Sequence, residues 1–409
     1  MFKKGIVSVI ASVIAMGLGY LFQFYMIRNL TPSTYGDLSV VFGILMILTA
    51  PLSSLDIFLT RKIAKLAEPE KEGMYLIKTY SKKVLLYSSL LAAVVFAAAL
   101  ILNILFKWDG ILVGIPIITL GIPLLYFNTV WSSYFRGNER INFVAVLAVV
   151  LPALKLMFGI LLISLGLGFL GASFSLWLGG IGVFLMFTPF LIKKTKPHIV
   201  HAPKLEKSFL YIMITLVLGM VIAYLGLFFI KITLNSEQVA YFNVALITST
   251  VISILGSGVI VPFLPKVSKL TMVEWKKILM LLLKGIMLIL PIFIVFIIFP
   301  EHIITFFYTA KYDPAVLPFM ILSISAFLAT ISSLLDNIFW SQHLEKFPLA
   351  VNAVSVVLLV PLFVFLIPLY GIAGAALAMV SLSAIGLCLR GILMLIVKRK
   401  YETNGPAGI

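Results

Sequence analysis

Apolar runs of roughly 20 residues recur along the whole chain, each long enough to cross a hydrocarbon core of about 30 Å as an α-helix. These runs lack the alternation of apolar and polar residues that is typical of barrel strands. Only 11% of the 409 residues are charged, against about 25% in soluble domains, so a soluble fold is excluded. Backbone polar groups in lipid must be satisfied within the chain, and we therefore predict an all-α integral membrane protein.

Twelve transmembrane helices are predicted from the apolar windows and from the Gly, Pro and charged residues that interrupt them. The first begins after two lysines and is too long for a signal peptide, so we expect it to be retained. The predicted spans lie near residues 5–27, 38–58, 84–105, 111–132, 143–165, 172–192, 209–230, 239–261, 278–299, 316–339, 348–368 and 372–396.

Basic residues are distributed very unevenly over the predicted loops. With the N-terminus in the cytoplasm, 24 lysines and arginines lie on that side, and only four lie on the other. The positive-inside rule thus predicts cytoplasmic N- and C-termini in a multi-pass cell-membrane protein. This orientation accounts for most of the net charge of +16 without a nucleic-acid partner.

The two halves of the chain repeat each other. Leu30–Leu66 aligns with Leu234–Leu270 at a constant shift of 204 residues, and the turn motif from Gly168 matches the one from Gly371. Six spans per half make the repeat parallel, as in transporters built from two bundles around a central cavity. We predict an N-terminal bundle at 1–195, a cytoplasmic linker at 196–208 and a C-terminal bundle at 209–409.

Ionisable residues inside predicted spans are costly and therefore suggest function. Lys155 lies mid-span with no acidic residue at the same depth, which leaves a hydrated cavity or an anionic ligand as its counter-charge. Lys284 and Arg390 lie about a third of the way in from the cytoplasmic side. For both residues, snorkelling of the side chain to the interface is the alternative.

Four further charged residues are candidates for gating or coupling. Asp56 and Asp336 lie near cytoplasmic span ends, while Arg28 and Lys231 end the first span of each half. Gln23 is a further candidate for substrate binding in the cavity. It belongs to a stripe of small and polar residues on the first span, which either faces a central cleft or packs closely against another helix. No metal site is expected, because a single cysteine cannot form a thiolate cluster.

The segment from Asn29 to Leu66, its echo after Leu234 and the YGIAGAALA turn from Tyr370 resemble the polysaccharide-exporter branch of the MOP superfamily, the Wzx-type oligosaccharide flippases. The resemblance covers nearly the whole chain in span number and motif order. It implies two six-helix bundles that move a polyprenol-linked oligosaccharide to the outer leaflet by alternating access. Cationic cavity residues would hold the lipid (pyro)phosphate and anionic sugars, and Lys155, Lys284 and Arg390 are the residues of that type.

Two alternatives remain open at the level of sequence. A multidrug cation antiporter of the same superfamily would use membrane carboxylates, for which Asp56 and Asp336 are candidates. A membrane sugar polymerase or ligase would need a catalytic loop, but the predicted outer loops are short. We expect a transporter rather than an enzyme, with no cofactor except a coupling Na⁺ or H⁺. Its partners would be the bilayer, the lipid-linked substrate and glycan-assembly proteins.

Overall fold

The computed structural model describes residues 2–106, 109–192, 207–267, 275–342 and 344–404. Within these ranges the secondary structure is helical. The helices are α1 (Phe2–Asn29), α2 (Pro32–Ala64), α3 (Pro69–Phe106), α4 (Asp109–Gly137), α5 (Ile141–Ser164), α6 (Gly168–Ile192), α7 (Lys207–Thr233), α8 (Ser236–Val267), α9 (Trp275–Ile298), α10 (Pro300–Tyr308), α11 (Val316–Ser341) and α12 (Lys346–Asn404), with a short 3₁₀ helix at Ala310–Ala315.

Ten of the described helices are long and apolar enough to cross a membrane. Counting the pair Leu282–Ile298 and Pro300–Tyr308, which is bent by 81°, as one broken span gives eleven. The last of the ten, Lys346–Arg399, is 54 residues long and contains a sharp break at Gly371, so it holds the last two predicted spans. Each predicted span lies within a helix to within one residue. The prediction of an all-α membrane protein is therefore confirmed, and twelve spans agree with these helices.

Local sequence signals account for the helix boundaries. Thr31 is the N-cap of α2, where its hydroxyl accepts a hydrogen bond of 3.3 Å from the Thr34 backbone N–H, and Pro32 opens the first turn. Gly168, the first residue of α6, has φ 44°, and Gly371 at the break inside α12 has φ 59°. These left-handed conformations suit glycine. The repeated turn motif thus makes a similar hairpin in each half.

Three residues after each of these turns, a second glycine lets the two helices of the hairpin touch. A Cβ at Gly374 would lie 2.0 Å from the carbonyl oxygen of Leu366, and one at Gly171 would lie 3.1 Å from that of Leu162. Both obstacles are backbone atoms, which cannot rotate away. The small residues of the motif therefore serve close helix packing at this point.

We expect Gly374→Ala to lower the free energy of unfolding by at least about 1–3 kcal/mol, because the added methyl group overpacks a backbone contact. Gly391→Ala is the matched control in the same helix, since a Cβ at Gly391 would have no neighbouring atom within 4 Å. Thermal unfolding of the purified protein in detergent measures both changes. Equal midpoints for the two variants would contradict the close contact.

The helices form two compact units, Met1–Phe209 and Leu210–Ile409. The predicted linker, 196–208, lies almost wholly outside the described residues. The N-terminal unit has an aromatic core around Trp131 of α4, where Phe135 stacks on Phe187 of α6 at 5.9 Å between ring centroids. The C-terminal unit has two apolar clusters, one around Phe339 and one around Ile252. Each unit thus has its own hydrophobic core.

Candidate functional site: a cavity inside the N-terminal unit

A cavity of about 490 Å³ lies inside the N-terminal unit, between helices α2, α4, α5 and α6. Most of its wall is apolar, supplied by leucines, isoleucines and valines. The ionisable residues of the wall are Lys155, Asp56 and Arg136, and its polar residues include Asn128, Thr49, Thr129, Ser132 and Ser173. An apolar cavity of this size with a few converging polar groups is typical of a small-molecule binding site.

Lys155 is the cation at the membrane-embedded part of this cavity. It lies about 21 Å along α5 from Ile141 and about 14 Å from Ser164, at 1.5 Å per residue. Its Nζ lies 4.0 Å from the ring centroid of Phe22 and 5.2 Å from that of Phe42. The ammonium therefore stays inside the unit instead of reaching an interface. Cation–π contacts stabilise it there by up to about 2 kcal/mol when desolvated.

No carboxylate or hydrogen-bond acceptor of the described residues contacts the Lys155 ammonium. Aromatic rings attract a cation but do not neutralise it, so no described residue compensates the charge of Lys155. The ammonium keeps three N–H donors for another partner. A bound anion would supply the missing counter-charge.

Glycines on the neighbouring turns shape the surroundings of Lys155. A Cβ at Gly159, one turn further along α5, would lie 2.7 Å from Phe22, so this glycine gives the Phe22 ring its space. A Cβ at Gly179 of α6 would lie 3.3 Å from the backbone nitrogen of Lys155. Helices α1 and α6 therefore both approach α5 closely near the lysine.

The other charged part of the cavity holds an ion pair. Asp56 of α2 binds Arg136, which lies in the last turn of α4, and also accepts hydrogen bonds from Ser133 at 2.8 Å and Thr60 at 3.4 Å. The Arg136 side chain is 44% exposed and that of Asp56 is 15% exposed. The pair joins the end of α4 to α2. Asp56, predicted as a gating or coupling residue, is thus held by an arginine.

A second ion pair lies buried in the C-terminal unit. Arg390 of α12 binds Asp336 of α11 through two hydrogen bonds of 2.7 and 3.0 Å, and donates another of 2.7 Å to the Asn352 side chain. Asn352 in turn donates to the Thr215 carbonyl of α7 at 3.1 Å. The network joins α7, α11 and both parts of α12. Arg390, predicted to bind substrate, is therefore neutralised within its unit, and a role in substrate binding stays a prediction.

The remaining predicted site residues lie apart from the cavity wall. Lys284 is exposed on α9, and Arg28 is exposed in the last turn of α1. Gln23 is half-buried and accepts a hydrogen bond of 3.1 Å from Tyr35, while Lys231 donates to Ser236 at the start of α8. Their predicted roles in binding, gating or coupling stay predictions.

The sequence analysis did not single out Arg136, Asn128, Thr49, Thr129, Phe22 or Phe42. One signal was available, because Asn128, Ser132 and Arg136 follow each other at steps of four and so share one face of α4. The aromatic partners of Lys155 carried no such signal, since phenylalanine is common throughout this chain.

Known structures resemble the chain over nearly its whole length. An inward closed conformation of the lipid II flippase MurJ matches with a TM-score of 0.75 at 15% sequence identity, covering 99% of this chain and 91% of that one. An inward-facing multidrug resistance MATE transporter of the MOP superfamily matches with a TM-score of 0.73 at 14% identity, covering 96% and 99%. At this identity the matches show the fold alone.

A MOP superfamily transporter from Pyrococcus furiosus, whose reversed binding-pocket polarity suggested a different function, also has this fold. It matches with a TM-score of 0.62 at 16% identity, covering 97% of this chain and 96% of that one. No curated protein sequence matches the chain significantly. The family model for polysaccharide biosynthesis proteins matches residues 1–271. The chain therefore belongs to the polysaccharide biosynthesis protein family and is a multi-pass membrane protein with the flippase-type transporter fold of the MOP superfamily.

Proposed function

We propose that the protein exports a polyprenol-(pyro)phosphate-linked oligosaccharide across the cytoplasmic membrane by alternating access, for the synthesis of a surface polysaccharide or glycan. The observation that carries this proposal is the uncompensated ammonium of Lys155 in the cavity of the N-terminal unit. A phosphate of the substrate would give up its hydrogen bonds to water and bind this ammonium instead. In an apolar setting the ammonium forms strong charge-assisted hydrogen bonds. The membership in a polysaccharide biosynthesis family supports the same substrate class.

The charges of the described residues favour this substrate over a drug cation. Asp56 and Asp336, the carboxylates predicted near the span ends, each bind an arginine. An incoming cation would have to compete with a fixed guanidinium at either position. The cavity carries a net positive charge from Lys155, which repels cations and attracts anions. An antiporter of cationic drugs is therefore the weaker alternative.

The predicted orientation indicates which end of the cavity faces the cytoplasm. Arg136 lies at the end of α4 that the basic loops place in the cytoplasm, next to Arg140. The Asp56–Arg136 pair would then lie at the cytoplasmic end of the cavity, where a lipid-linked sugar is delivered. Lys155 would lie deeper, on the way to the outer leaflet.

Reconstituted protein tests the proposal. Proteoliposomes are loaded with a fluorescent polyprenyl-diphosphate-linked sugar, and an enzyme that acts only on the outside reports how much has crossed. We expect crossing to accelerate at least about tenfold over protein-free vesicles, because a flippase removes the cost of passing a charged headgroup through lipid. Crossing no faster than in empty vesicles, or uptake of a cationic dye in its place, would overturn the proposal. Elongation of the sugar by the protein would indicate an enzyme.

A further inference from the structure

The connection between α9 and α11 contains a helix that the first half of the repeat lacks. Residues 299–315 join α9 to α11, whereas only residues 107 and 108 separate α3 from α4, which are their counterparts by order. The additional residues form α10 and the 3₁₀ helix that follows it. The N-terminal unit packs its own helices with two residues at this place. Bundle formation by itself therefore does not require α10.

The depth of α10 in the membrane follows from α9. Between Ile278 and Ile298, α9 rises about 30 Å at 1.5 Å per residue, which is the full thickness of a hydrocarbon core. The helix axis then turns by 81° into α10. A helix that leaves the end of a membrane-spanning helix at this angle runs close to the plane of the membrane surface. With Lys276 and Lys277 in the cytoplasm, as the positive-inside rule predicts, this surface is the outer one.

One side of α10 is fixed to the C-terminal unit. Ile304 is fully buried, and Tyr308, one turn later, is 1% exposed. The Tyr308 hydroxyl is hydrogen-bonded to the Thr248 hydroxyl of α8 at 2.9 Å. Thr309, the C-cap of α10, has φ 73° and ψ 160°, a conformation that a β-branched residue keeps only where its surroundings hold it. The rotation of α10 about its own axis is therefore set, and its remaining sides face outward.

The two outward sides of α10 have opposite character. At about 100° per residue, Glu301, His302 and Thr305 lie to one side of the buried face, and Phe306 and Phe307 lie to the other. All five residues are exposed, Phe306 by 76% and Phe307 by 40%. A helix with one polar and one apolar outward side is typical of helices that lie in a membrane interface.

The apolar side of α10 is continuous with an apolar surface of α9. Met287, Ile294 and Ile298 are exposed along one side of α9, at the depth of the hydrocarbon core. Apolar side chains exposed at this depth are typical of a surface that contacts lipid. Phe299, which is 49% exposed, lies at the bend between the two helices and extends this surface towards Phe306. Lipid is therefore the neighbour that both helices share.

We propose that α10 is an interfacial helix, which lies in the outer headgroup region of the bilayer with Phe306 and Phe307 among the upper carbons of the acyl chains. Glu301, His302 and Thr305 then face water and the headgroups. The partner is the phospholipid surface itself, and the contact ties the outer end of the C-terminal unit to one leaflet. The proposal does not depend on what the protein transports.

Spin labels on single cysteines measure the depth of each side of α10. Cys388→Ala removes the one cysteine of the chain, and Phe306→Cys or Thr305→Cys then places a nitroxide on either side. Power-saturation EPR of the full-length protein, in nanodiscs of phosphatidylcholine and phosphatidylglycerol, compares collisions with oxygen, which concentrates in lipid, and with a nickel chelate, which stays in water. We expect the ratio of oxygen to nickel collisions to be at least about threefold higher for Phe306→Cys than for Thr305→Cys, because an interfacial helix buries its apolar side about 5–10 Å deep.

Two further variants complete the measurement. Leu288→Cys, exposed midway along α9, is the reference for the centre of the bilayer and should give a higher ratio than Phe306→Cys. Phe307→Cys probes the apolar side a second time, so that poor folding of one variant does not end the test.

Three results would overturn the proposal. Equal ratios for Thr305→Cys and Phe306→Cys would mean that the helix has no membrane side. A ratio for Phe306→Cys as high as that for Leu288→Cys would mean that α10 dips into the hydrocarbon core. A label at Phe306 that neither reagent reaches would mean that a second copy or another protein covers this side in place of lipid.

Discussion

Replacing Lys155 by methionine is expected to reduce transport of the lipid-linked sugar by roughly 10- to 100-fold, the equivalent of losing a charge-assisted hydrogen bond worth about 1.5–3 kcal/mol. Methionine keeps the length and the apolar contacts of the lysine stem but brings no charge over Phe22. Because an uncompensated charge in a membrane is costly, the variant should be as stable as the wild type or more stable. Proteoliposome flipping and the thermal midpoint are the two measurements.

Lys83→Met is the control for this experiment. It removes the same charge from an exposed position in the same unit. Flipping should stay near the wild-type rate, since Lys83 lies outside the cavity wall. If Lys155→Met transported normally, the cavity ammonium would have no part in substrate binding. A loss of transport that parallels a lower thermal midpoint would indicate a structural role for the lysine.

Breaking the buried pair between Arg390 and Asp336 is expected to lower the free energy of unfolding by about 3–5 kcal/mol. The side chains are only 7% and 12% exposed. In Asp336→Leu the guanidinium stays buried with Asn352 as its remaining side-chain partner, which cannot balance its charge. The network between α7, α11 and α12 would then lose the interaction that holds it together. Unfolding by SDS in mixed micelles measures the change.

Two further variants show whether the charge or the packing is responsible. The double variant Asp336→Leu with Arg390→Met removes both charges and should recover most of the lost stability, because it leaves no unpaired ion. Glu70→Gln disrupts the Arg140–Glu70 pair, whose side chains are 44% and 66% exposed, and should cost no more than about 1 kcal/mol. A double variant no more stable than Asp336→Leu alone would argue against the ion pair as the cause.

Sequence reasoning recovered the architecture because bilayer thickness acts on each helix separately. Roughly 20 apolar residues are needed wherever a helix crosses the membrane, so each of the twelve predicted spans is readable without knowing its neighbours. The repeated glycine turns at Gly168 and Gly371 were readable for the same reason, since a positive φ is a local requirement.

Only part of the candidate site could be predicted from the sequence in this way. Lys155 stood out because a lysine in mid-span is conspicuous in any sequence. Its partners Phe22 and Phe42 did not, since they come from helices α1 and α2, and nothing in the linear order brings them to α5. Arg390 illustrates the opposite case. It looked like a free substrate-binding cation along the sequence, but its carboxylate partner lies 54 positions away on a facing helix.

The amino-acid sequence by itself determined that this chain is a helical membrane protein with an internal repeat, and that a positive charge lies deep in the fifth span. These properties follow from hydropathy and charge along one helix at a time. Only the tertiary structure decided which charges are compensated. A hydrogen-bonded ion pair requires its two groups to be in contact. Helix packing brings Arg136 and Arg390 into contact with Asp56 and Asp336, but leaves Lys155 over aromatic rings.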